Sequence, residues 1–164
     1  MPFDYTLDFK KINFRASPEL YRVGKGEQGV LLVEPYKSEI LPFWRFKTPE
    51  IARNSAESIY KLFIDYLQQN DFIGADMARK FLQMGYTRSR RYANHKSGRK
   101  YARNPQLEAS SEAEKAARKE LLLPNEEDPV KAESAAIFKE VWTNAKLHSY
   151  YQELKKEHEH KYGK

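Results

Sequence analysis

Two stretches in the middle of the chain repeat apolar residues at helical spacing. Pro49 follows a threonine that can cap a helix, and the apolar positions beyond it predict a helix over about residues 49–69. Asp71 can cap a second helix, and Gly85 is the kind of residue that ends a helix in a left-handed conformation. Because the link between the two is very short, we predict an antiparallel helical hairpin over roughly residues 49–84.

The first part of the chain shows the shorter period of extended structure. Polar and apolar residues alternate over residues 3–9, as in a strand, and Ser17 with the proline after it can open a short helical turn. Two apolar runs, residues 20–23 and 30–33, then flank a glycine-rich link, which predicts a β-hairpin. We therefore expect residues 1–47 to be a region of strands and loops.

The C-terminal third alternates between linker and helix signals. Ser111 and Glu114 fit a capping box for a short helix inside residues 104–127, a polar segment that we otherwise predict to be a mobile linker. Asp128 and the proline after it open an apolar periodicity that continues into a charged tail. Residues 128–164 are therefore predicted to form one long helix.

Together these elements predict an α+β fold that is mainly helical. The N-terminal β-hairpin region would pack on the helical hairpin, and the long C-terminal helix would close the core. With 164 residues and 40% apolar content the chain can bury one sizeable core, so we expect a single domain over residues 1–164. Within that domain, residues 48–103 would carry the helical hairpin and a basic segment.

The composition excludes several classes of protein. Without cysteine, the chain has no disulfide framework, no thiolate nucleophile and no thiolate metal ligand. It also contains no apolar run near the ~20 residues that cross a bilayer, and its first residues lack the pattern of a signal peptide. We therefore expect a cytoplasmic protein with no membrane partner.

Positive charge is concentrated in one part of the sequence. Residues 77–107 contain nine lysines and arginines and no aspartate or glutamate. The net charge of the whole chain is +6, so the other 133 residues, with 20 basic and 23 acidic side chains, sum to −3. Because no acidic residue cancels its field locally, this stretch predicts a site for a polyanion.

The residue types in the basic stretch favour nucleic acid as that polyanion. Six of the nine cations are arginines, whose planar forks match phosphate oxygens, and the interleaved aromatic residues can stack on unpaired bases. Whether the partner is DNA or RNA stays open. The predicted contacts are Arg79, Lys80, Arg88, Arg90, Arg91, Tyr92, His95, Lys96, Arg99 and Lys100, with possible secondary contacts from Lys25, Arg45 and Lys47.

Four other interpretations of the sequence remain open. The basic stretch could be an ordinary solvated surface or could bind an acidic protein segment. It could also clamp a phosphorylated substrate in an enzyme that uses His95 as acid or base, which requires a concave pocket containing His95 and a carboxylate. Alternatively, the C-terminal helix could pair with another copy or with another protein, which requires exposure of Trp142, Tyr150, Tyr151 and Leu154.

Other motifs do not define a catalytic or metal site. Residues 24–29 read G-x-G-x-x-G, but a strand-like run follows them instead of the helix that a dinucleotide fold needs, so we interpret them as a turn. His158 and His160 are two residues apart and would point away from each other on a helix, which disfavours a shared metal. We assign no catalytic residue, metal or cofactor.

Several segments of the sequence resemble one known family. The similar segments are residues 27–42, Trp44-Arg45-Phe46-Lys47-Thr48-Pro49, Gly74-Ala75-Asp76-Met77-Ala78-Arg79-Lys80-Phe81, Arg90-Arg91-Tyr92-Ala93-Asn94-His95-Lys96, and residues 128–138. They resemble domain of unknown function four-three-eight-five, a family of small cytoplasmic proteins from bacteria and their phages. The resemblance implies a single compact domain and supplies no catalytic residue.

Overall fold

Six α-helices form the regular structure of the residues that the computed structural model describes, which are residues 3–95, 105, 110–120 and 127–164. In chain order they are α1 (Tyr36–Ile40), α2 (Pro49–Gln68), α3 (Phe72–Asn94), α4 (Ser111–Glu120), α5 (Pro129–Leu147) and α6 (Ser149–Tyr162). Two short 3₁₀ turns, Pro18–Leu20 and Leu41–Phe43, precede α2. The described part of the chain is thus all-α.

The predicted starts of the long helices are confirmed. The Thr48 hydroxyl accepts a hydrogen bond from the amide of Ile51 at the start of α2, and the Asp71 carboxylate accepts one from Gly74 at the start of α3. Asp128 caps α5 by accepting from the amide of Val130. Each cap satisfies an amide that the first turn of a helix leaves without an intrahelical partner.

Helices α2, α3 and α5 pack against one another around the main core. The helix α3 lies at its centre, since it also contacts α1 and α6 and is buried along most of its first half. Large side chains from all three helices are fully buried there, among them Phe63, Phe81 and Phe138. The N-terminal segment covers α3 from another side with Phe14, Tyr21 and other apolar side chains.

The predicted α+β fold is wrong, because the described part of the chain contains no strand. Instead of a hairpin, residues 24–34 form successive turns, with backbone bonds such as Gln28 to Lys25 and Leu32 to Gly29. Gly24, Gly26 and Gly29 have positive φ angles of 70°, 59° and 79°, which turn the backbone repeatedly. The β-branched residues that suggested strands bury their side chains in the core from irregular backbone.

Gly85 does not end a helix, contrary to the prediction. It lies inside α3, which runs on to Asn94 and carries the first half of the basic stretch. A Cβ at this position would lie 2.3 Å from Cδ1 of Phe138, which is fully buried on α5. Gly85 is therefore the point of close approach between α3 and α5, and packing explains its presence better than helix termination.

The C-terminal region is also not one helix. The chain leaves helical geometry at His148, whose ψ is 123°, and α6 then contacts both α3 and α5. The His148 ring accepts a hydrogen bond from the amide of Tyr150 and so caps the start of α6. The break lets α6 fold back onto the core instead of extending from it.

The short helix predicted within residues 104–127 is present as α4. Its first turn is capped by the Ser110 hydroxyl, which accepts from the amide of Ala113, one residue earlier than the predicted cap. Most of the predicted mobile linker outside α4 falls beyond the described residues. Over the described ranges, no helix is both long enough and apolar enough to cross a membrane.

Replacing Gly85 with alanine tests the close contact of α3 and α5. Overpacking a dense core costs about 1–3 kcal/mol, and alanine recovers only about 1 kcal/mol of helix propensity. A contact of 2.3 Å with the Phe138 ring places the cost in the upper part of that range, so we expect Gly85→Ala to lower the free energy of unfolding by about 1–2 kcal/mol, measured by urea denaturation.

A double-mutant cycle with Phe138→Leu identifies the contact. Because the smaller side chain leaves room for the new methyl group, the double variant should be less destabilised than the sum of the two single variants. Additive effects would show that Gly85 and Phe138 do not limit each other.

Candidate functional site: a buried charge cluster and the basic end of helix α3

The first two predicted contact residues, Arg79 and Lys80, are not at the surface. Arg79 is 7% exposed and Lys80 is fully buried. Both lie in the apolar first half of α3, where the turn before them contributes a third buried charge, Asp76. These three residues, with Tyr21 and Tyr151, form what we call the Asp76 cluster.

The carboxylate of Asp76 is the centre of this cluster. Oδ1 accepts hydrogen bonds from Nη2 of Arg79 at 2.6 Å and from the hydroxyl of Tyr151 at 2.6 Å. Oδ2 accepts from the hydroxyl of Tyr21 and lies 3.8 Å from Nζ of Lys80. Each charged group therefore has a partner of opposite charge, with one carboxylate shared between two cations, and such pairing is the condition under which charged groups are tolerated in a protein interior.

Burial and pairing act on each pKa in the cluster. Burial alone would raise the pKa of Asp76, but the charges of Arg79 and Lys80 and the two tyrosine hydroxyls outweigh it and lower that pKa to about 2. Burial lowers the pKa of Lys80 to about 7, with Asp76 opposing the shift only in part. The pKa of Tyr21 and that of Tyr151 are raised by burial and by Asp76, which keeps both hydroxyls protonated as donors.

The Asp76 cluster also holds residues 24–29, which we call the glycine-rich loop, against α3. Arg79 Nη1 donates to the carbonyl of Gly26 at 2.6 Å, and Lys80 Nζ donates to the carbonyl of Gln28 at 2.7 Å. Side-chain donors thus hold this loop in place of the ladder of backbone hydrogen bonds that a β-hairpin would form. The predicted role of Arg79 and Lys80 as phosphate contacts would require them to leave these bonds.

The sequence contains a pattern that indicates the Asp76 cluster, although our sequence analysis did not recognise it. Asp76 precedes Arg79 by three residues and Lys80 by four, so the three side chains share one side of a helix. All three stand within an otherwise apolar stretch that includes Ala75, Met77 and Ala78. An acid and two bases at this spacing on an apolar face indicate a buried ionic group.

Arginines do reach the surface in the second half of α3. We call Arg88, Arg90, Arg91 and Tyr92 the basic end of α3; Arg91 and Tyr92 are exposed, and Arg88 and Arg90 are half-buried. Arg90 donates to the side chain of Asn94 at 2.8 Å and lies 3.3 Å from Glu127. Tyr92 also packs beside Phe46, with ring centroids 6.0 Å apart.

Arg88 and Arg91 lie three residues apart and face the glycine-rich loop. Over the described ranges neither forms an ion pair, although both are close enough to Glu27 to lower its pKa, which burial raises on balance. Arg88 and Lys25 line the same open depression of about 390 Å³. The structure therefore brings one predicted secondary contact, Lys25, next to a predicted primary one.

The remaining predicted contacts are a buried histidine, two exposed cations on either side of Phe46, and three residues outside the described ranges. His95 is 8% exposed, and its Nδ1 has no hydrogen-bond partner among the groups described. Arg45 and Lys47 are exposed, while the aromatic residues beside them, Trp44 and Phe46, pack on the core as expected. Lys96, Arg99 and Lys100 fall outside the described residues.

The apolar residues of the C-terminal region do not form the exposed stripe that pairing with another copy or another protein would require. Tyr151 and Leu154 are buried, and Trp142 and Tyr150 are half-buried against the core. His158, which belongs to the charged tail of the predicted C-terminal helix, is buried and bonds the carbonyl of Tyr21 at 2.9 Å. Over the described ranges, no group of three or more acidic or histidine side chains is placed to hold a metal ion.

Fold and charge together define a small protein, all-α where described, with an ionic cluster at its centre and a basic helix end at its surface. The family model described as domain of unknown function (DUF4385) matches residues 4–161. The chain therefore belongs to the DUF4385 family, as the resemblance of its segments implied. No curated protein and no solved structure matches it.

Replacing Asp76 with asparagine tests the central role of its charge. The change would leave two buried cations without a counter-ion, and breaking a buried ion pair costs about 3–5 kcal/mol. We expect Asp76→Asn to lower the free energy of unfolding by that amount. Asp65→Asn, which removes an exposed carboxylate from α2, should change it by less than about 0.5 kcal/mol. Equal effects of the two variants would rule out the cluster as a principal source of stability.

Titration of Lys80 predicts a pH dependence of stability. Its pKa is about 7 in the fold and 10.5 for a free lysine side chain. Between these values the unfolded chain carries a proton that the folded chain does not, so stability rises with pH. We expect the free energy of unfolding to increase by on the order of 1–2 kcal/mol from pH 7 to pH 9.

The matched variant is Lys80→Met, which keeps a long side chain and removes the titrating group. Its stability should be nearly constant over the same pH range, as followed by denaturant unfolding at several pH values. If the variant kept the full rise of the parent protein, another group would be responsible.

Proposed function

We propose that this protein binds nucleic acid through the basic end of α3 and the chain that follows it. The observation that carries the proposal is the charge of residues 86–104, which include seven lysines and arginines and no aspartate or glutamate. These are the cations of the predicted basic stretch that remain after Arg79 and Lys80 are assigned to the core. Such a local excess favours binding of a polyanion.

The geometry of α3 supports this role for its second half. Arg88 and Arg91 stand on successive turns, and over the described ranges no carboxylate holds either in an ion pair. Their guanidinium groups are therefore available for phosphate oxygens, which they can bind in pairs. Tyr92 is 39% exposed and can contact a sugar or an unpaired base through the accessible part of its ring.

The same observations argue for backbone recognition instead of base reading. Arg88, Arg90 and Arg91 follow the last turns of α3, and Arg88 lies beside an open depression, an arrangement that suits the repeating phosphates of a nucleic-acid backbone. If six of the seven cations contact phosphates, the logarithm of the binding constant should fall with the logarithm of salt concentration with a slope of about −5 on duplex DNA.

The enzyme alternative has less support. It requires His95 and a carboxylate in a concave site, whereas His95 is buried at the end of α3 and does not line the depression that contains Arg88. The alternative of pairing through the C-terminal helix requires an exposed apolar stripe, and its four residues pack on the core instead.

Binding to single- and double-stranded oligonucleotides at two salt concentrations tests the proposal. Removing both Arg88 and Arg91 by substitution with alanine should weaken binding about tenfold or more at low salt and reduce the salt slope by about 2, because two phosphate contacts are lost. The measurement is fluorescence anisotropy with labelled oligonucleotides.

A matched control removes two charges from elsewhere. Lys10→Ala combined with Lys61→Ala takes away the same charge at exposed positions outside residues 77–107 and should leave the slope within about 0.5 of the parent value. Micromolar or weaker binding without any salt dependence would contradict the proposal, as would equal losses in the two double variants.

A further inference from the structure

A second region of positive charge lies in a cleft away from the basic end of α3. The cleft has a volume of about 590 Å³ and is bounded by α3, α5, α6 and the glycine-rich loop. Its size falls within the range of small-molecule sites, which is about 300–1,000 Å³. The loop contributes Gly24 and Gly26, so the segment that resembled a phosphate-binding motif in sequence forms one wall of this cleft.

The charges that line the cleft are mostly positive. Lys146, Lys155 and Lys156 come from α5 and α6, and Arg79 comes from α3, while Glu159 is the one carboxylate among the described residues of the lining. Glu159 lies 3.7 Å from Lys155 on the next turn of α6. Since Asp76 already compensates Arg79 from the interior, two lysines remain without a balancing acid in the lining.

The buried Asp76 cluster gives this cleft a fixed inner wall. Arg79 Nη1 donates to the carbonyl of Gly26 and to Oε1 of Gln83 at 2.8 Å, so the guanidinium, the loop and the amide are held in one arrangement. Because Oε1 of Gln83 accepts this bond, the amide nitrogen of Gln83 is left to donate to another group. Both N–H groups of Arg79 Nη1 are thus used within the protein, and the Gln83 amide is the prearranged donor of this wall; a donor held in place lowers the entropic cost of binding.

Neither aromatic residue of the cleft offers a free stacking surface, since Tyr151 is 3% exposed and is stacked on Phe72. Trp142 is stacked with Tyr86, with ring centroids 5.8 Å apart, and Lys146 Nζ lies 4.6 Å from its centroid. The π-surface of Trp142 is thus already used within the protein. This occupancy disfavours a nucleobase, which would need a ring face for stacking, and favours a polar organic body.

We propose that the cleft binds a small phosphorylated sugar or a similar hydroxylated organic phosphate. The lysine ammonium groups match the double negative charge of a phosphate ester, and Gln83, Gln152 and Glu159 supply donors and acceptors for hydroxyl groups. Inorganic phosphate alone would fill only part of the volume. This site is separate from the proposed nucleic-acid surface and does not depend on it.

Titration calorimetry with a panel of triose, pentose and hexose monophosphates tests the inference. We expect at least one member to bind with a dissociation constant below about 1 mM and the unphosphorylated sugar to bind at least about tenfold more weakly. A sugar acid and a nucleoside monophosphate are run beside them. If the whole panel fails to bind, or if either of these two compounds binds more tightly than every sugar phosphate, the proposal is overturned.

Two exposed lysines of the cleft provide the variants; Lys156→Gln removes no described contact, whereas Lys146→Gln also removes the contact of Nζ with the Trp142 ring. Lys146→Gln and Lys156→Gln should each weaken binding of the best panel member about tenfold, because a charge-assisted bond is lost. Lys10→Gln combined with Lys61→Gln, and the double alanine variant at Arg88 and Arg91, should leave its affinity unchanged. Equal weakening by the cleft variants and by these controls would show a general charge effect and would overturn the site.

Discussion

The ionic interaction of Asp76 with Arg79 and Lys80 is the constraint on which the rest of this structure depends. It places three charges inside α3, the helix that α1, α2, α5 and α6 all contact. Ionic groups at such a depth are tolerated only when each one is paired and hydrogen-bonded. The pairing fixes Tyr21 of the N-terminal segment and Tyr151 of α6 on the same carboxylate, so residues far apart in sequence meet at one point.

The same interaction determines which positive charges are available for binding. Arg79 and Lys80 look like the start of a basic stretch in sequence, yet their charges are used inside the fold. Among the described residues, the positive charges proposed for binding then lie in two places, along the second half of α3 and around the cleft beside α6. The first suits an extended polyanion, and the second has the dimensions of a small molecule.

The sequence predicted the helices well where a cap and an apolar periodicity agreed, as at Thr48, Asp71 and Asp128. The prediction failed where the same residue type occurs in two different structural roles. Gly85 looked like a terminator but provides room for Phe138, and the β-branched residues near the loop looked like strands but fill the core from turns. Those distinctions depend on tertiary neighbours, which a single sequence does not display. The cleft was missed for the same reason, since its lysines come from helices whose packing was unknown.

The glycine-rich loop is attached to α3 through the carbonyl oxygens of Gly26 and Gln28. These oxygens accept hydrogen bonds from the adjacent side chains of Arg79 and Lys80. Backbone carbonyls are the same for every residue type, whereas their spacing changes with each insertion or deletion. The outward side chain of Lys25 can accordingly vary without loss of the attachment, but the number of residues between the two carbonyls cannot. Evolution or protein engineering can thus diversify the chemistry of this loop at Lys25, beside the depression that Arg88 also lines, while the length of the loop stays constant.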